Sequence, residues 1–342
     1  MSAYNADDSG LLLVFAEPGE GVGIDEFHGE SACLQDISVF HTCCASSSPH
    51  SHLSDWYDNE HVPLRTAHFP DFRSAARYSV VSSVASASNK PYTRSSWAAM
   101  YTIASLALFS ENDEYARLRT ERSEREAELL SRIGVLDRRI YRLTYDSRAD
   151  AAYASRSNSS PTSGRSADAT LPESLAPERA QDIAPVVVAT SVTPAQGNQD
   201  AYDEWYLQEH VGALSKVPGW RRTRRFELID ALITGQLAAK DNGDAESVPR
   251  SLGLHGELSI LPTPLSSKMR RADPFCPNLF ATEYDSPDFA STPEFKAALN
   301  TPWRTRIMKE DDSGIAQQER RVLQLYRAWD PEAALKEATA IS

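Results

Sequence analysis

The sequence is short of the features that mark several large classes of protein. It has no excess of positive charge: 35 Lys and Arg stand against 48 Asp and Glu, a formal net charge of −13. Without a basic stripe to neutralise phosphates, nucleic acid and anionic membrane surfaces are excluded as expected partners. Long hydrophobic runs are also missing. The run Leu11 to Ala16 is far too short to cross a bilayer, and the residues before it are acidic where a secretory leader is basic. The expected address is the cytoplasm, where Cys33, Cys43, Cys44 and Cys276 stay reduced. Cysteine is scarce, and its spacing fits no zinc pattern. No P-loop, Gly-x-Ser-x-Gly or His-Glu-x-x-His stretch occurs. The glycines between Gly19 and Gly23 lack the third glycine and acidic strand end of a dinucleotide site, so they read as a turn.

What is present is an ordinary globular composition, 342 residues with 41% apolar content, enough for two cores. It also contains a repeat. Trp56, Tyr57, Glu60 and His61 match Trp205, Tyr206, Glu209 and His210, and downstream Pro70 matches Pro218 and Arg77 matches Arg225. A short apolar run precedes each copy, from Leu11 and from Pro185, with the length and β-branched content of a buried strand. Ser95 to Ile103 reads as a third strand. Ser110 with Asp113 reads as the cap of one long helix running to Ile133, and Leu136 to Tyr145 as the closing strand. In the second copy Thr292 and Pro293 open a helix expected to reach Met308, before a last strand over Glu319 to Trp329. Both halves spell βαββαβ, the ferredoxin-like unit. Such a unit covers one sheet face with helices and must bury the other against a partner. A tandem copy supplies that partner, making an intramolecular pseudo-dimer.

The expected boundaries are 1–146 for the first repeat, 147–184 for a flexible linker rich in Ser, Ala, Pro and Arg, 185–330 for the second repeat and 331–342 for a tail. Two segments fall outside the repeat, 29–54 and 256–282. Both begin Gly-Glu directly after a histidine, and together they hold all the cysteines. Retained introns fit these features, because a donor sequence entered one base into a codon translates as Gly-Glu. Surface loops are the other reading, although long structureless loops inside compact domains are uncommon. Ser54 or Asp55 would then cap the helix that carries His61.

The Trp-Tyr-x-x-Glu-His helix, the following Pro-x-aromatic turn and the Arg-aromatic strand resemble the dimeric α+β barrel superfamily, specifically its EthD-like branch in tandem fungal form. The resemblance covers most of both halves. It implies an α+β barrel of two ferredoxin-like repeats and a small-molecule pocket in each. It leaves activity open, since relatives include cofactor-free monooxygenases, isomerases, cyclases, decarboxylases and haem enzymes.

Chemistry has a limited set of candidates. On a regular helix Trp56 and Glu60 share one face, with Tyr57 and His61 on another about 100° away. His61 and His210 are the candidate proton carriers, each placed by Pro63 or Gly212 at an expected helix end, which favours the protonated imidazole. The competing reading makes them structural histidines satisfied by a carboxylate or carbonyl. Tyr101 and His255, aligned in the third strand, are the other catalytic candidates. Trp56, Tyr57, Glu60, Arg77, Trp205, Tyr206, Glu209 and Arg225 are candidates for lining or anchoring a substrate, the arginines through a carboxylate or enolate oxygen if they point inwards. The run Arg119 to Glu126 reads as a solvated helix face. No metal is expected, and no cofactor, with haem as the alternative that a Soret band would reveal. The resulting expectation is a cofactor-free enzyme moving a proton on an aromatic or polyketide-like carbonyl compound, of decarboxylase, cyclase or isomerase type. The alternatives are an EthD-like oxidoreductase or monooxygenase, and a non-catalytic binding or stress-related barrel.

Overall fold

The computed structural model describes residues 8–19, 56–85, 95–110, 112–149, 179–237, 277–308 and 314–341. The segment 29–54, most of 256–282, the glycine turn beyond Gly19, all four cysteines and the expected caps Ser54 and Asp55 lie outside the described residues, as does His255.

Eight strands close into one antiparallel barrel. The first repeat contributes β1 (Gly10–Glu17), β2 (Ala75–Ala85), β3 (Trp97–Ile103) and β4 (Val135–Asp146); the second contributes β5 (Val186–Pro194), β6 (Trp220–Thr234), β7 (Asn278–Tyr284) and β8 (Ile315–Trp329). Around the barrel the order is β1-β3-β2-β8-β5-β7-β6-β4. Within each repeat this is the ferredoxin-like order, fourth strand, first, third, second. The seams are β2 against β8 and β4 against β6, both antiparallel. The repeats therefore cover each other's bare sheet faces and also hydrogen-bond edge to edge, which removes every open edge. The protein is an α+β barrel made from two ferredoxin-like repeats in one chain.

Strand alternation sorts side chains between lumen and outer layer. Leu11, Leu13, Phe15, Ala76, Tyr78, Val187, Ala189, Phe226, Leu279 and Leu323 fill the lumen. Charges close it at two places. Arg139 is held by Asp137, at 2.6 Å, and by Glu319, at 3.0 Å, with the Arg321 guanidinium over the Phe15 ring. Elsewhere Glu283 accepts from Arg222 and Arg224, each at 2.8 Å. A small cavity there, lined by Ser74, Tyr78, Thr102, Arg222, Arg224 and Glu283, has room for about one water.

Helices cover the outside. α1 (Val62–Thr66) follows a π-helical turn at Tyr57–His61, and α2 (Asp113–Thr120) and α3 (Glu124–Arg132) complete the first repeat's layer. The second layer has α4 (Gln199–Trp205), a π-helical turn at Tyr206–His210, α5 (Val211–Leu214), α6 (Pro293–Ala298) and α7 (Pro302–Ile307). The single long helix expected in each repeat is two helices. Asn112, not Ser110, caps α2, and Ser123 starts α3 afresh by accepting from Glu126 N. Thr292 caps α6 as expected, but Thr301 and Pro302 restart the chain as α7, since a proline inside a helix removes a hydrogen bond and clashes with the preceding turn.

Two expected boundaries need correction. β7 occupies residues 278–284, so 278–282 belong to a strand and not to an excursion. Ile183 and Ala184, assigned to the linker, are buried in the lumen core, where Tyr78 donates to the Ala184 carbonyl at 3.3 Å. Within the expected tail, Pro331–Ile341 is a helix, α8, packed against α1.

Candidate functional site

The two Trp-Tyr-x-x-Glu-His segments share an unusual backbone. The Val62 N–H donates to the Tyr57 carbonyl and the Val211 N–H to the Tyr206 carbonyl, each five residues back. Such π-turns are rare and often sit at functional positions. The extra residue per turn changes which side chains meet. Trp56 and His61 come together with ring centroids 4.5 Å apart, and Trp205 and His210 at 4.6 Å. Tyr57 and Tyr206 approach the same imidazoles at 4.9 and 5.2 Å. Trp and His thus lie on one face, contrary to the two-face arrangement expected for a regular helix. The helix does not end at the histidine either: α1 continues through Pro63 and α5 through Gly212.

Aromatic enclosure and continued helix reverse the expected protonation. Burial, reinforced by the charge of Arg65, lowers the His61 pKa to about 4 against the opposing hydrogen bond and charge of Glu126. Burial and then Arg304 lower that of His210 to about 3. Both imidazoles are neutral at neutral pH, not protonated.

What surrounds the neutral rings differs between repeats. His61 Nδ1 meets Glu126 Oε1 at 3.1 Å. Burial alone would raise Glu126, but the hydrogen bond and charge of His61, with Arg65 and Arg122, hold it below the usual carboxylate range. Facing an ionised carboxylate, Nδ1 carries the hydrogen, which leaves the Nε2 lone pair free to take a proton. The His61 side chain keeps 18% exposure, so its edge is reachable. Glu126 was expected on a solvated face and is instead buried. Its signal in the sequence was Ser123-x-x-Glu126, a helix-start pattern whose glutamate ordinarily folds back onto the cap.

The same frame recurs in the second repeat. Ser123 caps Glu126 N at 3.0 Å and donates to Glu60; Thr301 caps Arg304 N at 3.1 Å and donates to Glu209. These matched bonds make Arg304 the counterpart of Glu126. His210 Nδ1 has no hydrogen-bond partner among the described residues. Glu60 and Glu209 therefore fix one helix onto the next: Arg125 adds a weak ion pair to Glu60 at 3.7 Å, and Trp205 Nε1 donates to Glu209 at 3.1 Å.

The arginines Arg77 and Arg225 both face the helical layer, but each has an acidic partner. Arg77 bonds Asp58 at 2.7 Å and lies over the Tyr57 ring at 4.2 Å, while Asp58 also accepts from Arg327 at 2.8 Å. Arg225 pairs with Asp203 at 2.7 Å. They tie helix to strand, so neither is an open anchor for a substrate anion. Asp58 was absent from the candidates; nothing in its sequence context distinguishes it from a surface acid.

Tyr101 faces Tyr57, hydroxyl to hydroxyl at 3.3 Å, and burial pushes both phenols up, so both keep their protons. Ladder register gives the counterpart of Tyr101. Arg77 lies opposite Ala99 and Arg225 opposite Phe280, so two residues on, Tyr101 corresponds to Thr282 and not to His255. Burial pushes the Tyr206 phenol up, with Thr282 at its side opposing the shift. Among the described residues no group of three or more His, Cys, Asp and Glu side chains could hold a metal ion, and no helix is long and apolar enough to cross a membrane.

Neither a family model nor a curated protein matches the chain. Two solved structures align along nearly the whole length. One is an anthrone oxidase-like protein, 11% identical, with 97% of this chain and 96% of that chain covered and a TM-score of 0.37. The other is a monooxygenase candidate from Fusobacterium nucleatum subsp. nucleatum, 8% identical, with 95% and 96% covered and a TM-score of 0.39. Likenesses this distant assign no activity, and function rests on the site itself.

Proposed function

We propose that the first repeat is the catalytic half of a cofactor-free small-molecule enzyme, with His61 as the proton acceptor. One observation carries the reading: a neutral, aromatic-enclosed imidazole whose Nδ1 is held by a buried carboxylate, while its other nitrogen has no hydrogen bond among the described residues. In that arrangement Nε2 removes a proton, the ring becomes cationic, and Glu126 stabilises the imidazolium across the existing bond. In the Tyr57–Tyr101 pair one hydroxyl proton bridges the two oxygens, and the other donates to the oxygen on which negative charge develops. Trp56 packs at a tilt against the ring, and Arg77 holds the π-turn to β2 through Asp58. The groups suit an aromatic or polyketide-like compound with an acidic C–H or phenolic O–H beside a carbonyl. The resulting enolate or phenolate is common to decarboxylation, cyclisation, isomerisation and cofactor-free oxygenation.

The test starts from a compound that accumulates in a deletion strain and is turned over by the purified chain. His61→Gln should lower kcat by about 10²- to 10⁴-fold with binding largely kept. Full turnover by this variant would exclude His61 as the base and favour a binding barrel. A Soret band on the purified protein would contradict the cofactor-free reading.

A further inference from the structure

The second repeat keeps the scaffold of the first but lacks the carboxylate at its centre. Ser123 and Thr301 make the same two bonds, to the amide of the third helical residue and to the glutamate of the π-turn, so the side chains of Glu126 and Arg304 leave equivalent points. In the first repeat the histidine Nδ1 finds Glu126. In the second, His210 is only 9% exposed, yet its Nδ1 has no partner among the described residues. Arg304 donates through Nη1 to the Leu299 carbonyl at 2.9 Å and forms no ion pair among the described residues. Burial pulls down both its own basicity and that of His210, and its charge lowers His210 further.

Among the described residues the acids of this layer are engaged. Glu209 accepts from Trp205 and Thr301, and Asp203 is taken by Arg225. An enclosed imidazole Nδ1 with no partner and a half-buried guanidinium whose only acceptor is a backbone carbonyl, both judged among the described residues, suit a group carrying two anionic oxygens, because unmatched buried polar atoms and cations are costly. The walls are aromatic and apolar: Trp205, Tyr206, Trp303 and Ile307 belong to one packed cluster.

We propose that the second repeat binds an aromatic carboxylate, whose carboxyl group bridges His210 Nδ1–H and the Arg304 guanidinium in the place that Glu126 fills in the first repeat. The ligand brings to the second repeat the acid that the first supplies from its own chain. This inference concerns Arg304 and His210 and does not depend on catalysis at His61.

Calorimetric titration of the full chain with sodium benzoate, at constant ionic strength, tests it. One benzoate should bind per chain. Arg304→Gln should weaken binding at least tenfold, and Arg304→Glu should abolish it while thermal unfolding stays cooperative. In Arg304→Glu the imidazole nitrogen shifts of His210 should move towards those of His61, showing that the introduced carboxylate has docked. His61→Gln should leave benzoate affinity unchanged even where it removes turnover, which separates this site from the first. No benzoate binding, equal affinity for benzamide, tighter binding of inorganic phosphate, or unchanged affinity in folded Arg304→Glu would each overturn the proposal.

Discussion

In the first repeat the third residue of the capped helix is Glu126; in the second it is Arg304. Around that position the two halves agree closely: the same π-turn, the same Trp-on-His contact, the same hydroxyl cap reaching back to the same glutamate. The difference shows that the backbone frame and the chemistry are separable. A π-turn buries a histidine against aromatic rings in both halves and depresses its basicity in both, but only in the first does a described carboxylate stand behind Nδ1 and orient the ring. Replacing that carboxylate with a cation leaves the histidine neutral, enclosed and short of a partner.

Breaking the comparison at the histidines gives the largest effect. His61→Gln should lose about 10²- to 10⁴-fold in kcat, whereas His210→Gln should keep turnover within a few-fold, read from steady-state kinetics. Comparable losses in both would mean that both sites are active. The clamps come next. Asp58→Ala leaves Arg77 buried without its acid and should cost about 3–5 kcal/mol in urea unfolding, while Asp203→Ala breaks a more exposed pair and should cost under about 1 kcal/mol. Removing the caps, by Ser123→Ala or Thr301→Ala, should cost about 1 kcal/mol each and so treat the repeats alike.

Acid sharpens the contrast last. A histidine whose folded pKa lies below its unfolded value of 6.5 contributes stability that is complete above that pH and is lost as pH falls towards about 4 for His61 and about 3 for His210. Unfolding midpoints should therefore decline on acidification through this window, and His61→Gln should flatten part of the decline. The acid limb of kcat/KM should lie near pH 4 rather than near 6.5.

Much of the fold was legible in the sequence. The duplicated Trp-Tyr-x-x-Glu-His helix, the apolar runs of β1 and β5 and the paired Arg77 and Arg225 specify two ferredoxin-like units, and bare sheet faces oblige them to associate. β7 is hard to place from sequence because all seven of its residues are buried, so no polar alternation marks it, and the alignment of His255 with Tyr101 puts the third strand too early. The π-turn left no trace, since widening a helix by one residue changes no composition. Glu126 was hidden for a different reason: among Arg119 to Glu126 it looks like its charged neighbours, and only the restart of the helix at Ser123 turns it inwards. The lumen charges Asp137, Arg139 and Glu283 were equally opaque, because a buried ion pair on a strand reads as surface until its partner strand is known.

The account depends most on Glu126 and Arg304 being equivalent positions of opposite effect. Imidazole ¹⁵N titration of the wild-type chain and of Arg304→Glu measures this directly. The prediction is that both histidines titrate well below 6.5, His61 above His210, and that Arg304→Glu raises His210 to the range of His61. Ordinary titration of either histidine in the wild type, or an unmoved His210 in the variant, would contradict it.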